Sequence, residues 1–182
     1  MNFCSQCGGP LSLTVPPGDD RPRHVCPACG MVHYQNPKLV VGCVPVWEDR
    51  ILMCRRNIEP RKGYWTLPAG FLENGETAAD GAQRETMEET GVRVVDLAPY
   101  LMVDIVHIRQ IYLMFRSRLV SPNFHHTRES SEVRLMDQAD IPWDEIAFKV
   151  VDKTLRRFLE DRSAGRFPFR IDRIEKPDRI KN

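Results

Sequence analysis

Residues 76 to 91, ETAADGAQRETMEETG, concentrate carboxylates in a chain that is nearly neutral overall. If this stretch is helical, Glu85, Glu88 and Glu89 stand at positions i, i+3 and i+4 and share one face. Such neighbours repel one another, and late in a helix the macrodipole also disfavours negative charge. A solvated acidic face is the structural alternative. The interleaved Arg84 and a preceding strand that ends at Gly70 favour a ligand site instead.

A divalent cation would relieve the repulsion within this acidic face. Mg²⁺ and Mn²⁺ prefer oxygen ligands at roughly 2.1 Å, keep several waters and share their coordination shell with phosphate oxygens. Because carboxylates alone rarely hold such an ion tightly, a diphosphate substrate is the natural completing ligand. Two such ions could polarise a phosphoryl group and lower the pKa of an attacking water. The helix is therefore predicted to carry Mg²⁺- or Mn²⁺-dependent phosphoryl chemistry.

Four of the six cysteines form two CxxC pairs, Cys4–Cys7 and Cys26–Cys29. Two such turns supply the four thiolates of a tetrahedral zinc site, and this spacing is typical of a zinc ribbon. Two disulfides or one redox-active CxxC are the alternatives, but neither a secretory signal nor a thioredoxin-like context accompanies them. His24 and His33 lie near the turns, at the surface or next to the ligands. One structural zinc ion per chain is expected.

Length and composition indicate a globular protein with one full domain and a small appendage. The chain has 182 residues, 42% of them apolar, and a formal net charge of +1, so no global charge directs it to nucleic acid or membrane. No run approaches the ~20 apolar residues of a membrane-spanning helix. The first residues do not resemble a secretory signal, so a cytoplasmic location is expected. Cys43 and Cys54 lie among apolar residues and are expected to be buried.

The predicted elements place the acidic stretch between strands. Strands are expected over Lys38 to Trp47, Ile51 to Cys54 and Trp65 to Ala69, and again over 92–107, 110–120 and 132–136. Residues 77–90 form the first helix, with Thr77 as N-cap, Asp80 completing a capping box and Gly91 just beyond the end. A second helix is expected over 141–162. Strands before, between and after two helices predict an α/β fold with a mixed sheet and a helix on each face.

Three segments are predicted from these patterns: residues 1–34 as the zinc ribbon, 35–165 as the main domain and 166–182 as a basic, extended C-terminal tail. The region from Lys153 onward is rich in Lys and Arg.

The stretch from Gly70 through Glu76 to Arg84-Glu85-Thr86-Met87-Glu88-Glu89-Thr90-Gly91-Val92 resembles the Nudix box, Gx5Ex7REUxEExGU, where U is aliphatic. Every fixed position matches at the right spacing. The departure is Thr86, at a position that is usually aliphatic and faces the core in that family. The resemblance implies a Nudix-type α/β/α sandwich with a mixed sheet, preceded by a small zinc ribbon, and the activity of a nucleoside diphosphate-X pyrophosphatase.

The resemblance also implies the roles of the acidic residues. Glu85 and Glu89 would be the main Mg²⁺ or Mn²⁺ ligands, and Glu88 would act as a further ligand or as the base that positions water. Arg84 would hold the glutamates in place by ion pairing. The carbonyl oxygen of Gly70 would complete this set.

The remaining acids of the implied site lie outside the helix face. The carboxylate of Glu76 would support the site. Members of the family often recruit one more acid from a loop after the sheet. The matching stretch here is RESSE, in which Glu132 is the first candidate for a catalytic acid and Glu129 the second, with ordinary solvated loop acids as the alternative.

Two zinc-ribbon groups of the Nudix family are relevant to the substrate. NADH pyrophosphatases follow the box with SQPWPFP, whereas this chain has PYLMVDIVHIRQ. A closer resemblance is to the plant plastid FAD and ADP-ribose pyrophosphatase group, through the CxxC turns, YQNPK, VVGC, the box, the ES-x-E loop and IPWDEIAF. This implies hydrolysis of an ADP-X dinucleotide to AMP, and a homodimer.

Basic and aromatic residues near the box are candidates for substrate binding. Arg55, Arg56, Arg61 and Lys62 flank one loop and could meet a diphosphate; a solubilising basic loop is the alternative, and it is favoured for Arg61 and Lys62. Tyr64, Trp65, Phe71 and Tyr112 could stack on a ring, although aromatic residues in strands more often belong to a core.

Two alternative functions stay open: a nucleic-acid-binding regulator, or a decapping or nucleotide-sanitising hydrolase with the same chemistry. Nucleic acid is not the expected partner, because the ribbon is not notably basic.

Overall fold

A computed structural model describes residues 1 to 175. The chain divides into two compact units, Met1–Pro37 and the part from Lys38 onward. This division lies close to the boundary predicted after residue 34. Within the described residues, no helix is long and apolar enough to cross a membrane.

The first unit is a small three-stranded antiparallel sheet with two cysteine turns. The strands are β1 (Ser12–Thr14), β2 (Arg23–Val25) and β3 (Val32–His33), in the order β1-β2-β3. All three strands are exposed or half-buried. A unit of this size without a buried apolar face needs another source of stability, which a metal site can supply.

The second unit is built around an eight-stranded mixed sheet. Its strands are β4 (Lys38–Trp47), β5 (Arg50–Arg56), β6 (Trp65–Thr66), β7 (Ala69–Phe71), β8 (Val94–Ile105), β9 (Gln110–Leu119), β10 (Ser130–Met136) and β11 (Arg170–Arg173). The order is β10-β5-β4-β9-β8-β11, with β6 paired to β5 and β7 paired to β4. The pairs β4–β9 and β8–β11 are parallel, and the other pairs are antiparallel.

Two helices cover the opposite faces of this sheet: α1 (Ala78–Thr90) and α2 (Lys149–Ser163). Strand β4 shows the alternation that separates the faces, since Val44 belongs to the core cluster that contains α2 residues, whereas Val41 and Cys43 belong to the cluster that contains α1 residues. The predicted α/β class, with a mixed sheet between two helices, is confirmed.

The ends of α1 follow the predicted capping chemistry. Thr77 caps the helix by accepting a hydrogen bond from the Asp80 N–H, and the Asp80 carboxylate accepts one from the Thr77 N–H, which completes the capping box. Gly91 ends the helix in the left-handed conformation, at φ 71°. Thr86, the residue that departs from the aliphatic pattern, is buried, and its hydroxyl donates to the Ala82 carbonyl at 2.7 Å. The hydroxyl is therefore satisfied within the helix.

The second helix begins later than predicted. Trp143–Glu145 forms a 3₁₀ turn, and α2 starts at Lys149 rather than Ile141. The cause is tertiary pairing, because the Ala147 N–H donates to the Trp65 carbonyl at 2.8 Å and Ile146 bridges to Trp65. This pairing holds the segment before the helix in an extended conformation.

The segment predicted to be a basic tail contributes a strand to the sheet. β11 lies parallel to β8 at the sheet edge, with Ile171 opposite Met102. The buried carboxylate of Asp161 anchors the approach to this strand by accepting hydrogen bonds from the Arg170 guanidinium and, at 2.7 Å, from the Tyr100 hydroxyl. The prediction for residues 176–182 lies outside the described residues.

Candidate active site

The strand-to-helix connection positions the acidic face of α1 against the sheet. β7 pairs with β4 so that Gly70 lies opposite Val41, and the chain then leads into α1. A Cβ atom at Gly70 would overlap the Glu85 carboxylate. Glycine at this position therefore allows the strand backbone to approach the helix closely enough to form one site.

Arg84 links the carboxylates around this connection. Its guanidinium donates to both oxygens of Glu76, at 3.0 and 2.7 Å, to Glu85 at 2.7 Å and to Glu88 at 3.0 Å. It also donates to the Phe71 carbonyl at 3.1 Å. The bidentate contact with Arg84 holds the pKa of Glu76 at about 2. The predicted bridging position of Arg84 agrees with these contacts.

Glu89 is the most buried acid of the cluster, at 5% exposure. Its Oε2 accepts one backbone hydrogen bond, from the Ala69 N–H at 3.2 Å, and the Cys54 thiol donates weakly to the same oxygen at 3.6 Å. Burial, together with the nearby Glu85 charge, raises the pKa of Glu89 to about 8. Burial also raises the pKa of Glu85 against the opposing effect of Arg84. Burial thus disfavours the ionised form of both carboxyl groups, and a bound cation would stabilise that form.

A cavity of about 650 Å³ opens beside these acids. Glu85, Glu88 and Glu89 line it together with Glu129, which lies close enough to raise the pKa of Glu85 through like charge. The cationic side chain of Arg56 also lines this cavity. The loop carrying Glu129 is held to the Arg56 strand end, since the Asn57 N–H donates to the Glu129 carbonyl at 2.7 Å.

Two predicted site residues are directed away from this cavity. Glu132, the first candidate for the extra acid, belongs to β10 and forms ion pairs with Arg55, at 3.7 Å, and with Arg134. Arg55 also donates to the Gly63 carbonyl at 2.7 Å and pairs with Glu145. Neither residue lines the cavity. The geometry thus favours Arg56 over Arg55, because successive residues of β5 point to opposite faces, and it favours Glu129, in the loop before β10, over Glu132.

The aromatic candidates separate in the same way. Phe71 and Tyr112 line the cavity, together with Phe148, which the sequence did not single out. Trp65 is buried at 5% exposure in the core, and Tyr64 lies outside the cavity, under the Arg61 guanidinium. Phe148 directly precedes α2 and has extended backbone.

The donor set fits a hard divalent cation. The cavity presents carboxylate oxygens from Glu85, Glu88, Glu89 and Glu129, beside the backbone of Gly70, and these are the ligands that Mg²⁺ and Mn²⁺ prefer. Arg84 donates a hydrogen bond to one oxygen of Glu85 and to one oxygen of Glu88, and its positive charge reduces the repulsion between the acids. These residues are the candidates to hold the metal.

The four paired cysteines of the first unit converge on one point. Among the described residues they form the one group of three or more potential ligands whose ligand atoms all lie within 4.8 Å of one another. The His33 Nε2 lies 3.3 Å from the Cys4 sulfur. Although burial opposes the thiolate, hydrogen bonds from His33 and from backbone N–H groups lower the pKa of Cys4 to about 6. The cluster fits a structural zinc ion.

Comparisons with known families agree with both units. Residues 2–35 match the description Nudix N-terminal, a zinc ribbon, and residues 36–158 match the NUDIX domain. A crystal structure of a NUDIX hydrolase from Nitrosomonas europaea is similar over 97% of this chain and 100% of that one, with 48% sequence identity and a TM-score of 0.93.

Curated relatives of this chain include proteins named NAD-capped RNA hydrolase NudC. One from Chromobacterium violaceum is 38% identical over 97 residues, which are 52% of this chain and 34% of the relative. One from Photobacterium profundum is 28% identical over 160 residues, or 85% of this chain and 58% of the relative. The chain thus spans about a third to three-fifths of the length of these relatives. Their names do not mention FAD or ADP-ribose, so the finer resemblance to the plant plastid group stays a prediction.

Proposed function

The chain belongs to the Nudix hydrolase family, and we propose that it hydrolyses the pyrophosphate bond of an ADP-X dinucleotide, such as ADP-ribose or FAD, to release AMP. The observation that carries this proposal is the cavity that both the acids of the Nudix box and Arg56 line. A diphosphate needs both kinds of group, cations to bind its oxygens and acids to hold the metal that it shares.

In the proposed reaction, a water oxygen attacks one phosphorus atom and the bridging P–O bond breaks, so that the leaving phosphate takes the bond electrons. Glu88 is the candidate to accept the proton of the water, since it is half-exposed at the cavity and faces solvent. Glu129 is the alternative base, in place of the Glu132 that the sequence favoured. Bound Mg²⁺ or Mn²⁺ would supply charge neutralisation and a more acidic water.

The protein's own residues would do the remaining work. Glu85 and Glu89, with the Gly70 carbonyl, are the proposed metal ligands, and Arg84 holds Glu85 in place through its 2.7 Å contact. Arg56 would bind the diphosphate. In the first unit, Cys4, Cys7, Cys26 and Cys29 would hold zinc, which stabilises the ribbon. A cytoplasmic location and a homodimer are parts of the same proposal.

A second candidate is hydrolysis of NADH or of the NAD cap of an RNA. The names of the NudC relatives favour it, and they keep nucleic acid open as a partner against the expectation from composition. The same cleavage would apply, with the RNA as one substituent of the diphosphate. A non-hydrolysing nucleic-acid regulator has no comparable support.

The test is a substrate panel with Mg²⁺ and with Mn²⁺, containing FAD, ADP-ribose, NADH and an NAD-capped RNA oligonucleotide. Release of AMP from FAD or ADP-ribose at the highest kcat/KM supports the proposal. Preference for NADH or the capped RNA would favour the second candidate. Tight, salt-dependent RNA binding without hydrolysis of any diphosphate would refute both.

A further inference from the structure

A smaller cavity, here called the side lobe, adjoins the cavity of the candidate active site, and we propose that this lobe binds the planar heteroaromatic base of the nucleotide substrate. The lobe has a volume of about 180 Å³ and lies at the carboxyl end of β8 and the start of α2. This inference rests on the proposed function, because it assigns one part of the substrate to one part of that same site.

The two spaces adjoin each other. Ile108, Tyr112 and Phe148 line both the large cavity and the side lobe. A single molecule can therefore hold its diphosphate beside the acids and extend a ring between these three side chains. The acids of the candidate active site line only the large cavity, so the charged part of the substrate would lie there and the ring would lie beyond the three shared side chains.

Most of the residues that line the lobe are apolar or aromatic and suit a flat ring, and His107, Lys149 and Glu175 are the polar ones. Ile105, Tyr112, Phe148 and Val150 present aliphatic or aromatic surface, which a flat π-system covers well. Tyr112 is half-buried, which raises the pKa of its phenol, and its hydroxyl forms no hydrogen bond with any residue that the structure describes. A ring nitrogen or an exocyclic amino group of a base would supply a partner for it.

The two residues that follow β11 complete the lining of the lobe. Ile174 and Glu175 line the lobe directly after this strand, and the Ile174 N–H donates to the Asp104 carbonyl at 2.9 Å. The parallel pairing of β11 with β8 thus brings the C-terminal region to the substrate side of the sheet. Because Ile174 lines the lobe and not the large cavity, a change there can alter ring binding and leave the acids untouched.

The experiment compares two isoleucines under the same substitution. Ile174→Trp fills the lobe, whereas Ile171→Trp adds the same bulk at a side chain that is 65% exposed and lines neither space. Each variant is assayed with ADP-ribose and with an analogue in which hydrogen replaces the adenine. For I174W we expect KM for ADP-ribose to rise on the order of tenfold with kcat unchanged, and KM for the abasic analogue to stay the same. I171W should match the wild type on both substrates.

A second pair of variants covers the case in which Ile174→Trp impairs folding. His107 lines the lobe at an exposed turn, and its neighbour Val106, which is 62% exposed, does not. His107→Trp should reproduce the selective rise in KM, and Val106→Trp should not.

Three results would contradict either the assignment of the lobe or the proposed function on which it rests. If the lobe variants lose the same factor on ADP-ribose and on the abasic analogue, the base does not bind there. If they keep the wild-type KM for ADP-ribose, the lobe is not used. If the wild type hydrolyses no diphosphate at all, the proposed function fails, independently of the lobe.

Discussion

Replacement of Glu89 by Gln should stabilise the protein in the absence of Mg²⁺ and Mn²⁺ while it abolishes most of the activity. The carboxyl is 5% exposed, and burial raises its pKa from 4.5 to about 8. A raised pKa means that the folded state holds a proton that the unfolded state has released. The stability contribution of this group is therefore complete below pH 4.5 and declines as the pH rises towards 8.

The size of the effect follows from linkage. At about 1.4 kcal/mol per pH unit, the roughly 2.5 units between pH 4.5 and pH 7 correspond to a penalty of ~3 kcal/mol in the wild type. The glutamine amide does not ionise, so the variant should gain most of this amount at pH 7 and only about 1 kcal/mol near pH 5.5. The advantage of the variant should thus grow with pH. Turnover should fall by orders of magnitude, because a proposed metal ligand is lost.

The assay is urea denaturation followed by tryptophan fluorescence, without chelator, so that zinc stays bound. Trp47, Trp65 and Trp143 all lie in the second unit, so the signal reports the unit that contains Glu89. Glu88→Gln is the matched control. It removes the charge of the adjacent residue in the chain, whose side chain is 55% exposed, and should change the free energy of unfolding by less than about 0.5 kcal/mol. Equal pH dependence in E89Q and the wild type would show that burial does not penalise this carboxylate.

Three further predictions concern other parts of the molecule. Asp161→Asn should destabilise the second unit by about 3 kcal/mol, because the Arg170 guanidinium loses its carboxylate partner. Since Arg170 lowers the pKa of Asp161, the wild type should lose the same stability as the pH falls through that lowered pKa. Urea titrations of the wild type and the variant at several pH values measure the two effects. Cys26→Ser should reduce bound zinc well below one equivalent by metal analysis, and full zinc content would contradict the assigned cluster. Gly70→Ala should lower kcat at least tenfold, because the new Cβ displaces the Glu85 carboxylate; calorimetric Mn²⁺ titration should show weaker binding, and unchanged binding would contradict this reason.

The sequence was sufficient for the features that depend on local chemistry. The capping box at Thr77 and Asp80, the left-handed Gly91 and the spacing of Glu85, Glu88 and Glu89 are all contained in one short stretch, so propensity and helical periodicity predict them. The CxxC turns are local in the same sense, and their four sulfurs converge as the spacing indicated.

Pairings between distant segments decided the features that the sequence predicted wrongly or missed. The pairing of Ile146 with Trp65 holds the segment before α2 in an extended conformation, so the helix begins at Lys149 rather than at the predicted Ile141. The parallel pairing of β11 with β8 converts a basic segment into a strand. No local pattern contains either partner.

Tertiary structure also decided which of two similar residues lines the cavity. Arg55 and Arg56 carry the same charge, and so do Glu129 and Glu132. In the structure, however, Arg56 lines the cavity and Arg55 pairs with Glu132. The amino-acid sequence by itself determined that a helix face of acids and a four-cysteine cluster would form, because their spacing within the chain is enough. Only the tertiary structure decided which arginine and which loop acid join that face, because strand register selects the side on which each residue points.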